Sequence, residues 1–197
     1  MKKRFFVLLS LIIGLSSIAQ NTENLPFNNK RLKINKSGMI VLSAWAASNL
    51  AVSSVAWATT TGKAKYFHQM NTLWNVVNLG IALPGYFKSK REHNGKLSTA
   101  EVIREQYTTE QIYLINNALN VVYIGSGLLL KTTTKNNEQS MRWQGYGNSL
   151  ILQGGFLLLF DLYQYFRHRN HRLKSRDVFF DNISPSNNGL GLKYSFN

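Results

Sequence analysis

Residues 67–87 read FHQMNTLWNVVNLGIALPGYF, an uncharged run in which amides recur at helical intervals. On a 3.6-residue period Asn71, Asn75, Asn78 and Ala82 share one stripe, with His68 one turn before it and Gly85 one turn after. The other residues between Asn71 and Ala82 are Leu, Val, Ile and Trp, apart from Thr72 and Gly80. An amide left unpaired in an apolar medium costs on the order of several kcal/mol, so such a stripe must face another polar stripe. Pro84 is expected to kink or end this helix.

Three further blocks carry the same pattern. Residues 38–59 (GMIVLSAWAASNLAVSSVAWAT) hold no charge, are long enough to cross a bilayer, and align Trp45, Asn49, Ser53 and Ala56. Ser37 is a candidate cap for this helix. Ser98 and Glu101 fit a capping box, which starts a third helix near Thr99 and carries it to about Leu130. Its second half, residues 112–130, is apolar and aligns Tyr113, Asn117 (or Asn116), Asn120 and Gly127; its first half is expected in water or along headgroups. Residues 143–166 (WQGYGNSLILQGGFLLLFDLYQYF) place Gly147, Gly154 and Asp161 at seven-residue steps, flanked by Asn148 and Gln153, with aromatic rings at both ends. Gly125-Ser126-Gly127 and Gly154-Gly155 suit close helix contact better than phosphate cradling. The expected fold is an all-α membrane protein: a bundle of about four transmembrane helices over residues 38–176, joined through these seams.

The ends are read separately. Lys2-Lys3-Arg4, the apolar residues 5–15 and small residues before a cut after Ala19 make residues 1–19 a signal peptide. Residues 20–37, polar and basic around Pro26, are expected to form a juxtamembrane arm without sustained period. Residues 177–197 turn to period two: Leu190, Leu192, Tyr194 and Phe196 alternate with polar or small residues, and residues 178–183 offer a partner strand for a small β-hairpin.

With no cysteine, disulfides and thiolate metal sites are excluded. The formal charge is +14, and an excess of that size favours anionic partners. Export removes intracellular nucleic acid from that set and leaves the bilayer, with anionic headgroups, as the expected partner. Arg167, Arg169, Arg172, Lys174 and Arg176, directly after the fourth block, are the candidate headgroup contacts, against the plainer reading of a solvated tail. A second copy of the chain or another envelope protein remains a further class of partner. Orientation is in conflict: an exported N-terminus with four crossings places 15 Lys/Arg outside and 5 inside, against the positive-inside rule, and the second block is the weakest span.

Asp161 is the one acid inside an apolar block, with His68, Arg167 or His168 as expected partners. His68, Asn71, Asn75, Asn78, Asn117, Asn120 and Asp161 are therefore candidates for either a helix-packing seam or a polar cavity, the seam being the plainer reading. Four histidines without closely spaced acids make no metal site, and no cofactor motif is present. No nucleophile–base pair or paired carboxylates of the kind acid–base chemistry uses stands out. The expected function is a non-enzymatic, structural or accessory membrane protein of the bacterial envelope. The alternative is a small transport or ligand-binding protein with a cavity around Asp161.

Tyr66–Ala82 (YFHQMNTLWNVVNLGIA), the RLKINKSGM lead-in to the first block and Ser149–Leu162 (SLILQGGFLLLFDL) resemble a family of small, signal-bearing, multi-helix bacterial proteins of unknown function. The resemblance implies the same segmentation and brings no activity or ligand.

Overall fold

The computed structural model describes residues 2–91, 97–132, 137–175, 183–186 and 189–192, with side chains described within residues 26–175. Four helices make up the body: α1 Lys2–Thr59, α2 Gly62–Arg91, α3 Thr99–Lys131 and α4 Glu138–Lys174. At 1.5 Å per residue α1 is roughly 87 Å long and the others roughly 45–55 Å.

The local signals explain the ends. α1 stops where Gly62 takes a left-handed φ of 57°, a conformation glycine adopts without a Cβ clash, so α2 doubles back after two residues. Ser98 accepts from the Glu101 N–H, and Glu101 accepts from the Ser98 N–H at 2.8 Å, closing the capping box at the start of α3. Asn137 caps α4 by accepting from the Ser140 N–H.

Several expectations are corrected. Residues 20–37 are helix, not an irregular arm, and from Phe27 onward they pack in the bundle with Phe27, Arg31, Leu32 and Ile34 buried. Pro26 is tolerated inside α1. Ser37 lies within α1 and caps nothing; its hydroxyl donates to Ile34 O at 2.9 Å. α2 runs on past Pro84 to Arg91, and the basic run after Phe166 continues α4 to Lys174. Near the C-terminus Ile183–Ser186 pairs antiparallel with Gly189–Leu192, a shorter ladder in a different register from the one residues 178–183 and 190–196 would make. Residues 176–182 and 193–197, where most of the expected hairpin and Arg176 fall, lie outside the described residues.

α1 lies along α2 and α3 along α4, and contact between α2 and α4 joins the two hairpins; α1 touches α3 and α4 more sparsely. A small apolar cluster (Leu42, Ala82, Tyr113, Phe160) sits where all four meet. Elsewhere the usual distribution is reversed. The α2 amides Asn71, Asn75 and Asn78 are buried, whereas Leu73, Val76, Val77 and Ile81 on the same helix are 53–58% exposed. On α3, Asn117 and Asn120 are buried while Ile115, Val121 and Val122 face outward. Among the described residues two helical segments, Pro26–Thr59 and Ala100–Lys131, are long and apolar enough to cross a membrane by length and composition.

Candidate functional site: the polar interior

The seam divides into three layers along the bundle. In the first, Gln153 of α4 is the hub. Its amide accepts from Trp45 Nε1 of α1 at 3.0 Å and from Asn78 Nδ2 of α2 at 3.3 Å, and it donates to Asn71 Oδ1. Asn71 Nδ2 reaches across to Ser53 Oγ at 2.7 Å and Asn49 Oδ1 at 3.0 Å on α1. Asn75 turns back on its own helix, donating to Asn71 O at 2.7 Å. His68 closes this end through Nδ1 and Ser53 Oγ, 3.2 Å apart. Trp45 stacks on Phe156 with centroids 3.8 Å apart, which fixes the indole that donates to Gln153. Three helices are thus tied by one amide, and each side chain named here has a partner in place of the water it lost, whereas the buried hydroxyls of Thr72 and Ser149 have none among the described residues.

The second layer holds Asp161. It is buried, and its Oδ2 accepts from Asn120 Nδ2 of α3 at 2.7 Å, with Asn116 as a second donor. The partners expected for it were His68 or Arg167 and His168. His68 belongs instead to the first layer, and Arg167 donates to Ser37 Oγ at 2.9 Å and Gln164 Oε1 at 3.3 Å. The reason is register: Asn116 and Asn120 lie one turn apart on α3, opposite Asp161, whereas Arg167 points toward α1. Asn117 is buried and donates to Tyr113 O at 2.8 Å. A cleft of about 270 Å³ enters between the helices and reaches Asp161, Asn116 and Tyr113 past apolar walls that include Met39, Ile81 and Phe160.

The third layer lies at the end where α2 and α4 finish. Arg172 holds Glu110 through two hydrogen bonds, Nε to Oε1 at 2.8 Å and Nη2 to Oε2 at 2.9 Å, so it is not a free headgroup contact. Gln106 donates to Glu110 Oε1 and to His168 O, both at 2.9 Å. His168 is fully buried and stacks against Tyr113, and burial with nearby Arg31, His171 and Arg167 pushes its pKa down to about 3. His171 stacks on Phe27, 4.4 Å between centroids, and its pKa is likewise lowered by burial. Arg31, itself buried, pairs with Glu105 at 3.7 Å, and Lys88 reaches the same carboxylate at 3.5 Å. Of the remaining candidate headgroup residues, Arg169 lies over the Tyr165 ring at 6.0 Å, and Lys174 is exposed.

Close backbone approach accompanies the amides. A Cβ on Gly127 would lie 2.6 Å from Gly147 O, and one on Gly147 would lie 2.5 Å from Gly127 O, so α3 and α4 touch main chain to main chain there. Gly154 likewise faces Asn120 O and Ile124.

Residues 41–162 match a family model described as a family of unknown function, DUF6992. The chain belongs to that family. DUF6992 spans α2 and α3 entirely, with most of α1's bundle segment and of α4's apolar run, and so covers the first two polar layers. No curated protein and no solved structure matches the chain.

Gln106, Glu110, Gln164 and Arg31 are interior residues that sequence reasoning missed, while Gln153 reads in the sequence only as flanking a stripe and His168 only as a partner for Asp161. The signal was present: residues 106, 110, 113, 117 and 120 form one continuous stripe on α3. The charges of the first half of α3 hide the stripe, because taken alone they read as solvent-facing. Among the described residues no group of three or more His, Cys, Asp or Glu could hold a metal ion.

Proposed function

We propose that the chain is a membrane-embedded, non-enzymatic four-helix protein of the bacterial envelope, exported by residues 1–19 and structural or accessory in role. The observation that carries this is the reversed distribution: amides and hydroxyls inside, aliphatic side chains outside on every helix. In water, exposed apolar patches beyond a few hundred Å² are rare on monomers. In lipid the outward aliphatics are solvated, and inward amides link the helices by bonds worth about 0.6–2 kcal/mol each. α2 and α4 read as weak spans because their amides lower the average hydropathy, yet those amides are the ones turned away from the surface. Export is supported by the basic, apolar and small-residue segments before Gln20. The test is fractionation of cells with carbonate washing: the chain stays with the membrane, and release into the wash defeats the reading.

A second reading is favoured by one feature, the cleft that reaches Asp161. On this reading the chain binds or passes a small ligand there. It requires that Asp161→Asn abolish a substrate- or proton-dependent phenotype while leaving the unfolding temperature nearly intact. A phenotype unchanged in that variant removes it.

A further inference from the structure

The structure moves the lysines that could meet a phosphate away from α4. At the end where Arg172 is held by Glu110, and Arg31 and Lys88 by Glu105, Lys30 and Lys33 on α1 and Lys90 on α2 have no ion pair among the described residues. They line a groove of about 570 Å³ between α1 and α2, together with Lys36 and Ser89, over Leu32. Among the described residues no carboxylate lines it. Lys30, Lys33 and Lys36 follow one face of α1 at three-residue steps, an arrangement of like charges that destabilises a helix unless an anion compensates it. Solvent-screened lysines with no ligand are the plain alternative.

A second hollow on α2 is lined by Leu83, Pro84 and Phe87 with Lys88 and Arg91 at the rim, Phe87 and Leu83 standing three and seven residues before Lys90 and so near it on the helix surface. Leu83 and Phe87 are 44% and 48% exposed, and Ile40, one turn from Lys36 on α1, is 51% exposed. Ammonium groups thus stand above and hydrocarbon-compatible surface below, the order of charge and chain in a phospholipid. A free phosphate would use the lysines and leave the apolar part idle.

We propose that the α1–α2 lysine groove binds the phosphate headgroup of an anionic glycerophospholipid, with its acyl chains along Leu83 and Phe87. The proposal rests on the membrane reading above. Ammonium groups bind phosphate as point charges, so the site is selective for charge and tolerant of headgroup shape. It places the basic end of the bundle in a leaflet containing anionic lipid.

The experiment uses the full chain in nanodiscs of phosphatidylcholine with a minor share of phosphatidylglycerol, and reads the retained lipid by native mass spectrometry. Wild type retains phosphatidylglycerol in preference to phosphatidylcholine. Lys33→Gln with Lys90→Gln lowers that retention about tenfold or more, whereas Arg169→Gln with Lys174→Gln, an equal loss of charge on α4, leaves it within about twofold. All four side chains are exposed, so folding survives, and circular dichroism checks it. Equal effects of the two pairs overturn the site while sparing the membrane reading. Displacement of the lipid by glycerol phosphate overturns it in favour of a soluble anion. A chain that fails to enter nanodiscs overturns the proposal and the membrane reading together.

Discussion

Asn120 of α3 donates to Asp161 of α4 at 2.7 Å, and Asn116, one turn earlier on α3, is a second donor to the same carboxyl group. The pair lies next to the contact of Asn120 O with Gly154, so side-chain bond and backbone approach secure the same crossing. Removing the donor leaves a buried carboxylate short of a partner. Asn120→Ala is therefore expected to cost about 1–2 kcal/mol, near the upper end for hydrogen bonds in membranes. Asp161→Asn keeps a partner for Asn120 and costs less. Thermal unfolding in detergent ranks the two, and the reverse order refutes the account.

The glycine contacts give a sharper contrast. Gly147→Val drives a side chain into Gly127 O and Leu130, so α3 and α4 must separate; loss of the folded protein, or a penalty above about 3 kcal/mol, is expected. Gly125→Ala and Gly155→Ala meet nothing within 4 Å and should be neutral or stabilise by up to about 1 kcal/mol through helix propensity. Paired melting curves decide it.

Arg172 and Glu110 form a partly buried pair, with side chains 26% and 6% exposed. Breaking one side strands the other. Glu110→Gln is expected to destabilise by about 1–3 kcal/mol, below the range for fully buried pairs because the guanidinium keeps some water. Exchanging both residues for Gln and Met recovers much of the loss. A double variant no better than the single one would show that the pair is not the unit.

His168 sets a pH dependence. Its folded pKa is about 3, and the unfolded value is about 6.5. Between these the unfolded chain binds the extra proton, so stability rises with pH there. The contribution is complete above about pH 6.5 and is lost as pH falls toward 3, by at most about 1.4 kcal/mol per unit. The lowered pKa of His171 acts in the same direction. His168→Phe keeps the stack on Tyr113 and should flatten the slope between pH 4 and 6 by up to about one proton, measured by denaturant titration. An unchanged slope excludes the histidine as its source.

The amide stripes were legible because burial in a helix is periodic, and Asn71, Asn75, Asn78, Asn117 and Asn120 keep that period without interruption. The Ser98–Glu101 cap was legible because its partners are three residues apart. Gln153 was not legible as the hub, since its partners Trp45 and Asn78 lie 108 and 75 residues away. Nor was the fate of residues 27–37. Their charges suggested solvent, but Arg31 and Phe27 are buried because α3 and α4 present Glu105 and His171 to them.

By itself, then, the chain's local order determined four helices, the Ser98–Glu101 cap, and which face of each helix must avoid an apolar surround, because these depend on residues within two turns of one another. The tertiary structure alone decided which face meets which. Asp161 found Asn120 in place of a cation, Arg172 was taken by Glu110, and Lys30, Lys33 and Lys90 have no ion pair among the described residues. Such pairings depend on the relative rotation and translation of whole helices, which packing of glycine against backbone sets and no local pattern encodes.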